Sequence, residues 1–89
     1  MREVKLKSQF KKDLKRAKKT PNCDLDRLMV VVEQLAEQGS LPDEYKPHPL
    51  SGNWKPSWEC HIQPDFLLVY HVTEETLTLI RCGSHSELF

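Results

Sequence analysis

No apolar run in these 89 residues approaches the roughly 20 that a membrane-spanning helix requires. The N-terminal stretch MREVKLKSQFKK also lacks the apolar core of a secretory signal. The expectation is a cytoplasmic protein with no membrane partner. Cysteine is sparse: Cys23, Cys60 and Cys82 are odd in number and show no C-x-x-C spacing. They suit neither a disulfide framework nor a zinc knuckle, and are expected to be reduced thiols packed as small apolar groups. A chain this short, 38% hydrophobic, encloses one modest core. A second domain is excluded, and residues 1–89 are expected to form a single one.

The chain also lacks net charge, but not charge segregation. Residues 1–19 carry nine cationic residues against Glu3 and Asp13, so this stretch is +7 and the remainder −7. A basic face of that density suits a polyanion, because local fields rather than the total determine attraction to phosphates. A solvated lysine-rich helix face has the same composition, so the run alone does not decide between the two.

Glu3-Val4-Lys5-Leu6-Lys7 alternates with period two, the pattern of a short, half-buried strand. Ser8 is placed to cap a helix running to about Lys19, with Phe10, Leu14 and Ala17 on one face and the lysines on the others. Asp24 can cap a second helix, in which Leu25, Leu28, Met29, Val32, Leu35 and Ala36 recur at helical spacing; Gly39 ends it. The proline-rich stretch Leu41 to Pro49 reads as an ordered loop. Trp58–Ile62, Phe66–Val72 and Thr76–Cys82 read as strands joined by tight turns, hence an antiparallel meander. The expected fold is α+β in the order β-α-α-β-β-β, with two helices covering one face of a four-stranded, mainly antiparallel sheet. The opposite face is left partly open, where a substrate can sit.

Residues suited to acid-base work gather after residue 47: His48, His61, Asp65, His71, Arg81 and His85. Imidazole, with an unperturbed pKa of about 6.5, both donates and accepts protons near neutrality. Metal-free RNA cleavage needs such a pair, one group to deprotonate the ribose 2′-OH and one to protonate the departing 5′-oxygen. It also needs a cation for the charge on phosphorus. Each position has a structural alternative as well. His48 lies in a proline-flanked loop, His61 on a strand facing solvent or the open face, and Asp65 in a turn where backbone amides can occupy it. Arg81 inside an apolar strand could be ion-paired to a carboxylate, and His85 could be mere tail. His71, mid-strand beside Tyr70, reads as structural.

Four blocks in order carry more than any single residue. They are Ser8-Gln9-Phe10-Lys11-Lys12-Asp13, His48-Pro49-Leu50-Ser51-Gly52-Asn53-Trp54-Lys55, Glu59 to Tyr70, and Arg81-Cys82-Gly83-Ser84-His85-Ser86-Glu87-Leu88-Phe89. Together they resemble the YafQ-like branch of the RelE/ParE superfamily, the toxins of bacterial type II toxin–antitoxin modules, over nearly the whole chain. The resemblance implies a microbial RNase-like fold and ribosome-dependent cleavage of messenger RNA in the A site by 2′-OH attack, with no metal and no cofactor. It implies as partners a cognate antitoxin of ribbon-helix-helix type, the 70S ribosome and mRNA, with operator DNA reached only through the toxin–antitoxin complex.

The positions matching the family's functional residues are His48, His61, Asp65, Arg81 and His85, with Phe89 near the substrate. His85 is then the general acid, Arg81 the phosphate-binding cation, and Asp65 the base or base-orienting carboxylate, with His61 and His48 as its competitors. Lys11 and Lys15 on the basic face, and Phe66 where the family commonly has tryptophan, complete the substrate-binding set. The family often carries an arginine where this chain has Trp58, a residue suited to core or rim packing. A non-catalytic module, acting through antitoxin binding and operator repression, would use the same basic helix. Retention of Arg81 together with His85 disfavours it, and the histidine-rich C-terminal half disfavours the gyrase-poisoning branch of the superfamily.

Overall fold

The computed structural model describes residues 1–89. In chain order the elements are β1 (Glu3–Leu6), α1 (Ser8–Ala17), α2 (Leu25–Gln38), β2 (His48–Pro49), β3 (Trp58–Gln63), β4 (Phe66–Val72), β5 (Thr76–Gly83) and α3 (His85–Leu88). The sheet order is β1-β5-β4-β3-β2. The meander β3-β4-β5 is antiparallel as expected, and β1 lies parallel to β5. The sheet has five strands rather than four, because His48 and Pro49 pair with Glu59 and Trp58. Two residues among prolines carry no periodicity from which such a strand could be read. No helix is long and apolar enough to cross a membrane.

Helix α2 follows its cues closely. The Asp24 side chain accepts from the Arg27 N–H, and Gly39 closes the helix in the left-handed conformation at φ 75°. Its buried stripe is Leu28, Val31, Val32, Leu35 and Ala36, whereas Met29 is 59% exposed. The apolar face is thus rotated from the expected one: four consecutive apolar residues, Met29 to Val32, fit two stripes, and packing chooses. Ser8 is not the cap of α1 but its first residue; Lys7 precedes it without a side-chain cap. Strand β1 is exposed along its whole length, an edge rather than a half-buried strand.

The main core lies between the helices and one sheet face, and joins Phe10, Leu28, Val31 and Leu35 to Cys60, Ile62, Leu68, Tyr70, Leu77 and Leu79. Strand alternation places Leu67 and Val69 on the other face, where Leu88 of α3, Leu50, Trp54 and Ile80 form a second, smaller cluster. That face is therefore part apolar floor and part open.

One polar residue is buried with this core. Asp13 is on the inward face of α1 with Phe10 and Ala17 and has no exposed surface. Strand β1 ends its pairing at Leu6 opposite Leu79, so the β5 edge beyond has no strand neighbour. A bulge also shifts the β4–β5 register there. The Cys82 N–H on this edge donates to Asp13 Oδ2 (3.2 Å), and Arg81 donates from Nε to Oδ2 (2.6 Å) and from Nη2 to Oδ1 (3.2 Å). Gln9 and Arg16 also donate to Oδ1. Burial pushes the Asp13 carboxyl up, but hydrogen bonds from Arg81, Cys82 and Gln9, with the Arg81 charge, hold it below its ordinary value.

Removing this carboxylate leaves a guanidinium and an amide uncompensated, so Asp13→Ala is expected to cost about 3–5 kcal/mol in urea denaturation. Because the folded carboxyl titrates below 3.8, its stabilisation is complete above that value and is lost as pH falls through the lower folded value. The groups facing it are Arg16, Arg81 and the Cys82 thiol, with Glu87 beyond Arg16. The stability gap between the unmodified protein and Asp13→Asn should therefore narrow on acidification below about pH 4. A gap constant across that range would show that the carboxylate's charge contributes nothing.

Candidate functional site

Antiparallel pairing puts directly opposed residues on the same face. His48 opposes Glu59, Glu59 opposes Val69 and Val69 opposes Arg81, a row across β2 to β5; the adjacent row runs His61, Leu67, Gly83. This is the face opposite the helices, and it collects the histidines. Glu59 is only 5% exposed, and its Oε1 lies 3.5 Å from Nε2 of both His48 and His61. The His61 ring is 6.2 Å from that of His48 and 5.7 Å from that of His85, centroid to centroid. The three imidazoles thus form a line with His61 in the middle.

Two of the rings have their tautomer set by a neighbour. His48 Nδ1 is 2.8 Å from the Lys46 carbonyl oxygen, which only accepts, so Nδ1 carries the proton and Nε2 its lone pair in the neutral ring. His85 Nδ1 is 2.6 Å from Asp65 Oδ1, and the His85 backbone N–H donates to the same oxygen at 2.9 Å. These two hydrogen bonds hold the Asp65 carboxyl below its usual range, despite a small opposing effect of burial. Asp65 is therefore an ionised acceptor, His85 Nδ1 the donor, and His85 Nε2 is left for another partner. A turn between β3 and β4 thereby controls a ring twenty residues further on.

His85 opens α3, a single turn held by a reciprocal cap: Ser84 Oγ accepts from the Glu87 N–H, and Glu87 Oε1 accepts from the Ser84 N–H. Tail was the structural alternative for His85, although Ser84-His85-Ser86-Glu87 has the S-x-x-E spacing of a capping box. Glu59 was also passed over. It stands two residues before His61 on one strand, a spacing that puts both on the same face. Asp13 was counted only as charge, although it is three residues from Phe10 and four from Ala17 on the apolar stripe of α1.

The cluster unites His48, His61, Asp65 and His85. Arg81 adjoins it through the shared strand row, but its Nε and Nη2 are committed to Asp13, which leaves Nη1 outside that network. Lys11 and Lys15 are exposed on α1, and Phe89 is exposed with its ring edge-on to Trp54 at 5.3 Å. Phe66 does not belong to the site. It is 3% exposed in the main core, because strand alternation turns it toward the helices, and it cannot touch a substrate. Trp58 and His71 line a separate cleft of about 610 Å³ with Leu41, Pro47 and Tyr70. That cleft is the largest on the molecule, yet none of the clustered imidazoles faces it.

The profile of the family described as "Bacterial toxin of type II toxin-antitoxin system, YafQ" matches residues 2–89. The chain belongs to the YafQ toxin family. The mRNA interferase toxin YafQ of Escherichia coli K12 is 36% identical over 89 residues, 99% of this chain and 96% of that protein. The crystal structure of the E. coli DinJ–YafQ complex contains a chain 36% identical, with a TM-score of 0.90, covering 100% of this chain and 99% of the other. A copper-bound point mutant of a toxin from Helicobacter pylori is 42% identical, with a TM-score of 0.91 and complete coverage of both chains. The α+β fold expected from the sequence is thus that of known YafQ structures.

Within this YafQ-family site, Glu59, His61 and His85 bring one ligand atom each to within 4.8 Å of one another. Two imidazoles and a carboxylate form a donor set suited to zinc or copper. The tautomers can be checked directly. Long-range ¹H–¹⁵N spectra of the neutral rings should show protonated Nδ1 in both His48 and His85. Finding protonated Nε2 in either would contradict the hydrogen bonds to Lys46 and Asp65.

Proposed function

We propose that the protein is a ribosome-dependent mRNA endoribonuclease, cleaving in the A site and held in check by a cognate antitoxin in the cytoplasm. Family membership supports the toxin class. The observation that carries the chemistry is His85: Nδ1 anchored on Asp65, Nε2 free, and a second imidazole, His61, 5.7 Å away. General acid and general base must flank one phosphate, and two neighbouring rings on an accessible sheet face have that arrangement.

In this reading His61 takes the proton from the ribose 2′-OH at Nδ1, while Glu59 accepts a hydrogen bond from the imidazolium at Nε2. The 2′-oxygen forms its bond to phosphorus. The bond to the 5′-oxygen breaks, and His85 Nε2 delivers a proton to that oxygen. The products are a 2′,3′-cyclic phosphate and a 5′-hydroxyl. Asp65 orients His85 rather than acting as base itself, since its Oδ1 already accepts two hydrogen bonds from that residue. His48 Nε2 can share the base side through the same Glu59 oxygen. Arg81, charged and fixed by Asp13, stabilises the charge on phosphorus through the edge that Asp13 leaves free.

Lys11 and Lys15 supply attraction to the phosphates of ribosomal RNA. Phe89 and Trp54 offer a stacking edge near the acid. A cleft of about 370 Å³ lies beside His61, lined by Lys46, Gln63 and the Arg27–Glu44 ion pair. An antitoxin that covered either the basic helix or this face would silence the protein; a ribbon-helix-helix partner would bring the complex to operator DNA.

His85→Ala should lower the cleavage rate on programmed ribosomes about 10²–10⁴-fold while the protein stays folded. Product ends should carry 2′,3′-cyclic phosphate. Equal growth arrest by both proteins, with no new 5′ ends inside coding regions, would defeat the nuclease reading.

The Helicobacter pylori relative is copper-bound, and the donor set of this chain suggests the same test. A metal held by Glu59, His61 and His85 would compete with the proton that His85 must carry as general acid. Copper(II) is therefore expected to inhibit cleavage, with recovery on adding a chelator, and Glu59→Gln should weaken copper binding. Copper-stimulated cleavage would contradict the metal-free scheme.

A further inference from the structure

We infer that Arg16 and Glu87 are positioning residues for the general acid, an inference that rests on the reading of His85 above. The turn that carries His85 has only four helical residues, too few to hold a conformation alone. Its attachments are few: the Ser84–Glu87 cap, the His85 N–H and ring held by Asp65, Leu88 in the smaller apolar cluster, and an ion pair from Arg16 Nε to Glu87 Oε2 at 2.9 Å. Glu87 thus divides its carboxylate. Oε1 caps the turn, and Oε2 ties it to α1.

Arg16 divides itself in the same manner, donating from Nη2 to Asp13 Oδ1 at 3.2 Å. Asp13 is the carboxylate that holds Arg81. The acid and the phosphate cation are therefore fixed to one frame, His85 through Glu87 and Arg16, and Arg81 directly. Asp65 sets the ring's tautomer and holds the His85 backbone N–H from the other side of the turn, while the Arg16–Glu87 pair ties the turn to the Asp13 carboxylate that holds Arg81. Gly83 leaves room for this link. Its φ of +150° disfavours side chains, and a Cβ there would lie 2.9 Å from Glu87 Oε1 and 3.1 Å from Arg16 Nη2.

The pair is two-fifths exposed on both sides, and such pairs contribute little to stability. A merely structural role therefore predicts almost no phenotype, whereas misplacing an acid by an ångström slows a reaction by up to about 10²-fold. Charge separates the alternatives further. Arg16→Ala removes a cation and Glu87→Gln an anion, so if attraction to RNA were all that mattered they would change KM in opposite directions. Positioning requires both to lower kcat. Glu87→Gln keeps an oxygen able to accept from the Ser84 N–H, so the capped turn survives.

The test is cleavage of mRNA on programmed ribosomes by the unmodified protein, Arg16→Ala, Arg16→Lys, Glu87→Gln and the double variant Arg16→Ala/Glu87→Gln. Each of Arg16→Ala and Glu87→Gln should reduce kcat about tenfold with KM little changed. The double variant should be no slower than the slower single, and Arg16→Lys should recover part of the rate. Opposite effects on KM with kcat unchanged, or additive losses, would overturn the inference.

NMR supplies a readout independent of cleavage. The His85 ring signals should broaden in both single variants. If the unmodified protein and His85→Ala alike fail to cut, the nuclease reading falls, and these signals alone decide the positioning role. Unaltered His85 line widths would refute it.

Discussion

A carboxylate with no exposed surface, Asp13, sets the geometry on which the rest of this protein depends. The sheet loses its edge partner where β1 ends, and a buried N–H without an acceptor costs about 1–3 kcal/mol. Asp13 fills that vacancy from α1, accepting from the Cys82 amide. Its charge then requires compensation, which Arg81 supplies at 2.6 Å and Arg16 at 3.2 Å. One buried anion thereby fixes a helix, a strand edge and two guanidinium groups. No buried side-chain polar atom is left without a hydrogen-bond partner, so the arrangement is complete in itself.

The consequences reach the candidate site by two routes. Through Arg81 the anion places a cation beside the row of residues that includes Glu59 and His48. Through Arg16 and Glu87 it holds the turn on which His85 stands. The two sheet faces have separate duties. One is packed by α1 and α2 and supplies stability; the other combines a small apolar floor of Leu67, Val69 and Leu88 with the imidazole line. Polar chemistry can sit on the second face because alternation along β3 sends Cys60 and Ile62 to the core while Glu59 and His61 point away from it.

Much of the fold was legible wherever local physics alone decides. Alternation and turn residues located β4 without error and β3 and β5 to within one residue. The cap at Asp24 and the stop at Gly39 likewise bounded α2 correctly. Errors arose where packing selects among equivalent patterns. Met29 and Val31 are equally apolar candidates, yet only Val31 meets the sheet. Strand β2 exists because Glu59 and Trp58 present a free edge to His48 and Pro49, a fact absent from the local sequence. Phe66 looked like a substrate contact by position and proved to be core, because the turn before it fixes which face it takes.

What the sequence by itself determined is the inventory: four histidines in the C-terminal half, a basic first helix, an arginine inside an apolar strand, and the order of elements. Those features follow from composition and from periods of 2 and 3.6, which are properties of neighbouring residues. Only the tertiary structure decided the partnerships. Asp13 and Cys82 are 69 positions apart, Asp65 and His85 twenty, and Glu59 meets His48 only across a strand pair. Which imidazole nitrogen is free, and which carboxylate orients rather than reacts, depends on those long-range hydrogen bonds, because a tautomer is set by the atom a ring faces and not by its neighbours in the chain.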